Sequence, residues 1–316
     1  MKYNYLISFK LNMHKVSIIL PSYNHKRYLL DRLDSIKNQT YKYWELIIID
    51  DASTDGSIEV LKKFKEENSD KISDFIINKN NSGSGYKSWQ KGIELAKGKY
   101  IWIAETDDYS DCYFLDKLVN ALENNSKAVL AFCTSVYVNK YKKIMYTSEK
   151  RTQDLEVNKK TSKVFDNNFF MDTVLFNPYI TNGSAVVFKN PSESIPNKLF
   201  SYKQSSDMFL WTYLIKDSSF VFVNEPLNYF RRHDDSTTVK NNIKNLKMIY
   251  LEKISFLNFF NFEDKKKEFL QHYIKYYVWN NKKQWYKIKF LYQLNDSRFL
   301  AFLYYKHLLR FLINKI

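Results

Sequence analysis

The first half of this chain alternates short, strongly apolar runs with longer segments of helical periodicity. The first two runs cover residues 16–20 and 46–49, and similar runs follow at 75–77, 100–104 and 129–132. The intervening segments place apolar residues three and four positions apart, as on one face of a helix. Strands that alternate with helices in this way form mainly parallel sheets covered by helices on both faces. The sequence therefore predicts an α/β fold.

Two pairs of aspartates stand directly after predicted strands. Asp50 and Asp51 follow the second strand, and Asp107 and Asp108 follow the fourth. Because ligands of such sheets bind beyond the carboxyl ends of the strands, we expect both pairs at one functional rim. Adjacent carboxylates repel each other unless a cation is present, and a hard divalent ion takes oxygen ligands that it shares with substrate phosphates.

Each acidic pair also has an ordinary structural explanation. The sequence DASTDG after the second strand is typical of turns and helix caps. A solvated turn before the next helix would account for the second pair as well. The local sequence does not decide between the two interpretations.

Other polar residues could act at the same rim. Asp207 opens a predicted helix, where a carboxylate either complements the helix dipole or serves as a general base. Arg231, Arg232 and His233 follow a late apolar strand. Guanidinium groups suit a diphosphate and an imidazole suits a metal ion, although a basic surface turn has the same composition. His25, after the first strand, is the only other histidine expected near this rim.

The formal net charge of the 316 residues is +15. Abundant lysine across the chain accounts for much of this charge. The remaining excess lies mostly in the last third and would suit nucleic acid, an anionic membrane or a phosphorylated substrate.

Cysteine usage and hydropathy indicate the compartment. Cys112 and Cys133 are the only cysteines, which excludes a disulfide framework and zinc-type spacing and favours a reducing, cytoplasmic setting. No run approaches the roughly 18 apolar residues of a membrane-spanning helix. The apolar piece near the N-terminus is too short for a signal peptide. We therefore expect a soluble or peripheral protein.

Several common nucleotide-binding and hydrolase motifs are missing. Residues 21–25 read PSYNH where a dinucleotide-binding glycine fingerprint would follow the first strand. The chain has no phosphate loop ending in Gly-Lys-Ser/Thr and no Gly-x-Ser-x-Gly nucleophile elbow.

Four ordered motifs resemble those of family 2 glycosyltransferases. They are VSIILPSYN at 16–24, SIKNQT at 35–40, ELIIIDDASTDGS at 45–57 and IWIAETDDY at 101–109, the last of which looks like that family's DxD region. The resemblance spans about residues 16–235. It implies a GT-A fold with a Rossmann-like, mainly parallel sheet, a nucleotide-sugar donor, a Mn²⁺ or Mg²⁺ ion and inversion at the anomeric carbon.

The resemblance also implies roles for individual residues. Nucleotide-sugar binding falls to Pro21, Tyr23, Asp51, Asp107, Arg231 and Arg232. Asp108 and His233 would hold the metal, and Asp207 would be the catalytic base. Glu105 stands where many members carry aspartate, which leaves its role open.

The resemblance divides the chain into domains. Residues 1–240 would form the catalytic domain, with a nucleotide-sugar half at about 14–110 and an acceptor half at about 111–240. Residues 241–316 lie outside the resemblance, and their helix-like pattern and their basic, aromatic composition predict a helical extension. Its last helix, at 299–316, would either rest on an anionic membrane or pack on the catalytic domain or a second subunit.

The function implied is transfer of a sugar, with UDP the favoured nucleotide, to a glycan or lipid-linked glycan acceptor during bacterial surface polysaccharide synthesis. The protein would work in the cytoplasm, either free or at the inner face of the membrane. A metal-dependent nucleotidyltransferase is an alternative, since it too pairs acids with a metal at a strand end. A basic nucleic-acid-binding protein is a second alternative, although the acidic rim argues against it. The donor sugar, the linkage and the oligomeric state are not specified by the sequence.

Overall fold

The computed structural model describes residues 15–180, 182–233 and 243–262, together with 265, 266, 268 and 269. The chain divides between Asn241 and Asn242 into two compact units.

A mixed sheet forms the centre of the first unit. Its ten strands in the described residues are β1 (Val16–Ser22), β2 (Trp44–Asp50), β3 (Ile72–Ile77), β4 (Tyr100–Ile103), β5 (Tyr109–Ser110), β6 (Ala128–Asn139), β7 (Ile144–Thr147), β8 (Ser162–Asp166), β9 (Val186–Lys189) and β10 (Ser219–Arg232). The strand order is β3-β2-β1-β4-β9-β6-β10-β5, with β7 beside β6 and β8 beside β10.

Helices connect and flank these strands. Those described are α1 (Lys26–Lys37), α2 (Ser57–Glu67), α3 (Gly85–Leu95), α4 (Phe114–Glu123), α5 (Glu149–Thr152), α6 (Asn167–Thr173), α7 (Ser206–Ile215) and, in the second unit, α8 (Ile243–Phe259). The predicted α/β fold is confirmed. The sheet is parallel from β3 through β4, whereas β9 enters antiparallel between β4 and β6.

The apolar runs form strands because they are covered on both faces. Every residue of β2 and β4 is buried, and a strand buried on both faces reads as a continuous apolar run. Leu29, Leu33 and Ile36 lie on the buried face of α1, at the predicted spacing. This parallel half of the sheet brings the ends of β1, β2 and β4 to one edge.

The late strand β10 is longer than the sequence predicts. It runs for 14 residues, past Pro226, beside β6. Proline is tolerated because the register shifts on both sides of it, and at such a bulge no ladder hydrogen bond needs its missing N–H. The extension carries Arg231 and Arg232 within the strand and brings His233 to its end.

Helix α3 packs tightly on β1 through Gly92. A Cβ added there would lie 2.3 Å from Cγ2 of Ile19, so Ile19 or the helix would have to move. We expect Gly92→Ala to lower the free energy of unfolding by about 1–3 kcal/mol, as overpacked core sites do. Gly85, in the same helix, has open space around it. Gly85→Ala is therefore the control, and urea unfolding that showed equal stability for the two variants would contradict the close packing.

The second unit is helical in its described part. Phe256 and Leu257 of α8 are buried. Over the described residues, no helix combines the length and the apolar character needed to cross a bilayer. The 299–316 helix predicted from the sequence lies outside the described residues.

Candidate active site

The loops after β1, β2 and β4 meet at the carboxyl edge of the sheet. The backbone N–H of Asp51 donates to the Ser22 carbonyl at 2.8 Å, and the Thr106 hydroxyl donates to the Pro21 carbonyl at 3.2 Å. Since all three strands run in parallel, both acidic pairs lie on the same rim, as predicted.

The turn at residues 105–108, called here the acidic turn, is held by a buried arginine of α1. Arg32 donates from Nε to the Glu105 carbonyl at 2.8 Å and from Nη2 to Ser184 Oγ at 3.1 Å. Its guanidinium also stands 5.3 Å from the Trp102 ring. Burial lowers the pKa of Arg32 to about 10, which leaves it charged at neutral pH. Arg32 therefore supplies a fixed positive charge behind the acidic turn.

Asp107 points toward two imidazoles. His233 Nε2 is 3.1 Å from Asp107 Oδ2. Three side chains, those of His25, Asp107 and His233, each offer one atom that could bind a metal, and these three atoms lie within 4.8 Å of one another. Burial alone would raise the pKa of Asp107, but the His233 hydrogen bond and the charge of His25 bring it below its ordinary value. We call these three residues the imidazole–carboxylate cluster.

Asp108 has different surroundings from its neighbour. It is fully buried and accepts hydrogen bonds from Asn182 Nδ2 at 2.5 Å and from the Arg231 backbone N–H at 2.9 Å. Burial and the charge of Asp107 raise the pKa of Asp108. Asp108 thus joins the acidic turn to β10. Its assignment as a metal ligand stays a prediction, and the geometry favours Asp107 for that role.

Asp51 holds the loop that leads into α3 through hydrogen bonds. Its carboxylate accepts from the Ser82 backbone N–H at 3.0 Å, from Ser82 Oγ at 2.8 Å and from Asn78 Nδ2 at 2.7 Å. Tyr23, in the loop after β1, is 46% exposed. Pro21 contributes its carbonyl to Thr106. These residues border one side of the rim, with Asp51 shaping the loop there.

The family model described as "Glycosyl transferase family 2" matches residues 17–180, just over half of the chain. The chain belongs to glycosyl transferase family 2.

Two relatives are named as glycosyltransferases, and one solved structure has a similar fold. A Bacillus subtilis protein named, provisionally, teichuronic acid biosynthesis glycosyltransferase TuaG is 34% identical over 39% of this chain and 46% of its own length. The poly(ribitol-phosphate) beta-N-acetylglucosaminyltransferase TarP of Staphylococcus aureus is 35% identical over 37% of this chain and 36% of its own. The crystal structure of S. aureus TarS 1-349 in complex with UDP-GlcNAc matches 90% of this chain and 80% of that chain, with a TM-score of 0.62 and 16% identity. The predicted GT-A fold is confirmed, while this chain spans less than half the length of these two relatives.

In this family 2 chain, Asp207 interacts electrostatically with Glu105 of the acidic turn. It lies in the first turn of α7. Burial raises the pKa of Glu105 well above its ordinary value, and the negative charges of Asp108 and Asp107 add to the rise. The negative charge of Asp207 also raises the pKa of Glu105. Asp207 is therefore close enough to the acidic turn to interact with it electrostatically.

The two arginines predicted to bind the diphosphate have different surroundings. Arg231 is 1% exposed and donates from Nη2 to Asp31 Oδ2 at 2.8 Å. Its guanidinium lies 4.4 Å from the Tyr28 ring centroid and 5.4 Å from that of Tyr109. Arg232 is only partly buried, and its guanidinium lies 5.6 Å from the Phe230 ring. The contacts of Arg231 are those of a residue that ties β10 to α1.

This arrangement predicts a stability effect for Arg231. We expect Arg231→Met to lower the free energy of unfolding by about 1–3 kcal/mol, since Asp31 loses a buried partner. Arg232→Met is the matched control in the same strand and should cost clearly less. Urea unfolding without donor measures both. An Arg231→Met protein as stable as the wild type but weaker in UDP binding would instead support the diphosphate role.

Sequence reasoning missed residues that support the site without a recognisable motif. Arg32 and Asn182 received no role, and His25 was placed near the rim without one. Arg32 did carry a signal, because it falls on the same helical face as Leu29 and Leu33, where an unpaired charge would be costly. Asn182 carried none, because its partners, Asp108 and Asn228, are far away along the chain.

Proposed function

We propose that this chain is an inverting, metal-dependent glycosyltransferase that moves a sugar from a UDP-sugar to an acceptor hydroxyl. The observation that carries the proposal is the imidazole–carboxylate cluster at the rim of a GT-A sheet, with Asp207 in electrostatic reach of the adjoining acidic turn. A cation-binding group and a separate carboxylate are the two parts that a single displacement requires.

The residues present fit a divalent cation. His233 Nε2 lies beside the Asp107 carboxylate, and within the part of the chain that the structure describes the buried Nδ1 of the same ring has no hydrogen-bond partner. An imidazole nitrogen beside a carboxylate is a donor set that suits a divalent metal ion. We propose that Asp107 and His233 hold Mn²⁺ or Mg²⁺. When bound, the ion supplies positive charge that stabilises the departing diphosphate.

The chain's own groups then account for the remaining steps. Asp207 takes the proton from the acceptor hydroxyl, whose oxygen attacks the anomeric carbon. The new carbon–oxygen bond forms on the face opposite the breaking bond to the diphosphate, so the configuration inverts. The Met208 backbone N–H, which donates to Asp207 Oδ1 at 2.8 Å, orients the carboxylate. No protein nucleophile is required.

Donor binding is proposed for the side of the rim bordered by Pro21, Tyr23 and Asp51. The exposed ring of Tyr23 can stack on a base, and Asp51 holds the 78–84 loop through Asn78 and Ser82. Arg232, less buried than Arg231, is the better placed of the two arginines to meet a phosphate.

The biological setting is proposed from the relatives. TuaG and TarP are named for teichuronic acid and poly(ribitol-phosphate) glycosylation, which supports a role in bacterial surface polysaccharide synthesis with a glycan or lipid-linked glycan acceptor. We propose residues 1–240 as the catalytic domain, working in the cytoplasm. Residues 241–316 are proposed as an extension that contacts the inner face of the membrane.

A nucleotide-binding screen tests the proposal without knowledge of the acceptor. Binding of UDP, GDP and TDP is measured by calorimetry with Mn²⁺ and with EDTA, followed by hydrolysis of the matching nucleotide sugars. We expect UDP to bind with Mn²⁺ and to lose its affinity in EDTA. If no nucleoside diphosphate binds under either condition, the proposed function is wrong.

A further inference from the structure

His25 belongs to the imidazole–carboxylate cluster, but the proposed mechanism assigns it no role. It follows β1 and precedes α1, and its ring centroid lies 5.9 Å from that of His233. Its side chain makes no capping hydrogen bond to α1. The ring nevertheless has a defined position, because Nδ1 lies 2.8 Å from Thr106 Oγ1.

The hydrogen bonds of Thr106 fit one tautomer of His25. A hydroxyl group has one proton, and that of Thr106 is donated to the Pro21 carbonyl at 3.2 Å. With that proton engaged, Thr106 Oγ1 accepts from His25, and this pattern fits the tautomer that carries its hydrogen on Nδ1. In the neutral ring this leaves the lone pair on Nε2, the arrangement in which an outer hydrogen bond orients a metal-ligating histidine.

We propose that His25 is a third protein ligand, which completes a two-histidine, one-carboxylate metal site with Asp107 and His233. The inference rests on the proposed function, which places a divalent cation at Asp107. Thr106 is the positioning residue that sets the tautomer and orientation of His25.

The spacing of the cluster is compatible with a bound ion after a small adjustment. Its ligand atoms lie within 4.8 Å of one another. Two atoms that each bind one metal at about 2.1 Å are at most about 4.2 Å apart. Binding an ion would therefore require the side chains to move toward each other by roughly half an ångström. Three protein ligands leave positions open for diphosphate oxygens and water. The Tyr28 ring, 4.8 Å from that of His233, limits movement on one side.

A second imidazole changes which cation the site prefers. Mg²⁺ keeps several waters and favours oxygen ligands, whereas imidazole nitrogen suits borderline transition metals, whose affinities rise from Mn²⁺ to Co²⁺ and Ni²⁺. With His25 as a ligand, the site should therefore prefer transition-metal ions over Mg²⁺ more strongly than a site made of one carboxylate and one imidazole. Loss of His25 should reduce that discrimination.

The test measures metal binding directly in the full-length protein. Co²⁺ and Mg²⁺ affinities are determined by calorimetry, and pulsed electron paramagnetic resonance of bound Mn²⁺ reports the imidazole nitrogens through their ¹⁴N modulation. The variants are His25→Ala, His25→Gln and Thr106→Val, with Thr106→Ser as the matched control that keeps the hydroxyl. Circular dichroism verifies that each variant is folded.

We expect two imidazoles on Mn²⁺ in the wild type and one in both His25 variants. Co²⁺ affinity should fall at least about tenfold in the His25 variants and in Thr106→Val, with a smaller loss for Mg²⁺, and should be retained in Thr106→Ser. A wild-type signal from a single imidazole, unchanged in His25→Ala, would overturn the inference and leave the proposed function standing. A wild type that binds neither Mn²⁺ nor UDP would overturn both.

Discussion

Asp107→Asn is expected to abolish metal-dependent UDP binding and to slow sugar transfer by at least about 10³-fold. The substitution keeps the size of the side chain but removes the negative charge that faces His25 and His233. Loss of metal stabilisation at a leaving group is worth several kcal/mol, and each 1.4 kcal/mol or so changes the rate about tenfold. Calorimetry with UDP and Mn²⁺, followed by a donor-consumption assay, measures both effects.

Asp108→Asn is the informative comparison, because the resemblance to family 2 glycosyltransferases assigned the metal to Asp108. Both of its oxygens accept hydrogen bonds inside the protein, from Asn182 and from the Arg231 backbone. We therefore expect Asp108→Asn to disturb the acidic turn and lower stability while it retains Mn²⁺ binding. Asp34→Asn, on the exposed face of α1, is the neutral control. The reverse result, with metal binding lost only in Asp108→Asn, would restore the original assignment.

Asp207→Asn is expected to reduce kcat by about 10²–10⁴-fold, the usual contribution of a general base. Affinities for UDP and Mn²⁺ should stay close to the wild-type values, because Asp207 belongs to α7 and is not one of the cation-binding residues of the cluster. The measurement is transfer to the acceptor under saturating donor, with nucleotide binding determined in parallel.

Asp217→Asn provides the control for this substitution. Asp217 follows α7 and its side chain is 84% exposed, so its loss should leave kcat unchanged. If Asp207→Asn transferred sugar at the wild-type rate, another group would have to accept the proton. If it lost UDP binding as well, Asp207 would act on donor or metal binding instead.

The parallel half of the fold could be predicted from the sequence because its signals are local. Strands buried on both faces are continuous apolar runs, and α1 shows its buried face through Leu29, Leu33 and Ile36. The length of β10 could not be predicted in this way, since Pro226 normally ends a central strand. Only pairing with β6, with register shifts around the proline, lets the strand continue to Arg232.

The same distinction holds for the two arginines and the two aspartates. Adjacent residues on a strand point to opposite faces, so Arg231 and Arg232 separate once the strand is known to reach them. Asp107 and Asp108 follow one strand and are chemically identical. What distinguishes them is the set of donors that Asn182 and β10 bring to Asp108, and the imidazoles that His25 and His233 bring to Asp107.

By itself, the sequence determined the order of strands and helices, the rim where the acids collect and the family to which the chain belongs. These properties depend on periodicity and on motifs of neighbouring residues. The tertiary structure decided which carboxylate faces the histidines, which arginine is tied to Asp31 and which nitrogen of His25 lies against Thr106. The physical reason is that hydrogen bonds and charge interactions act over a few ångströms in space, between residues that the chain separates by tens to hundreds of positions.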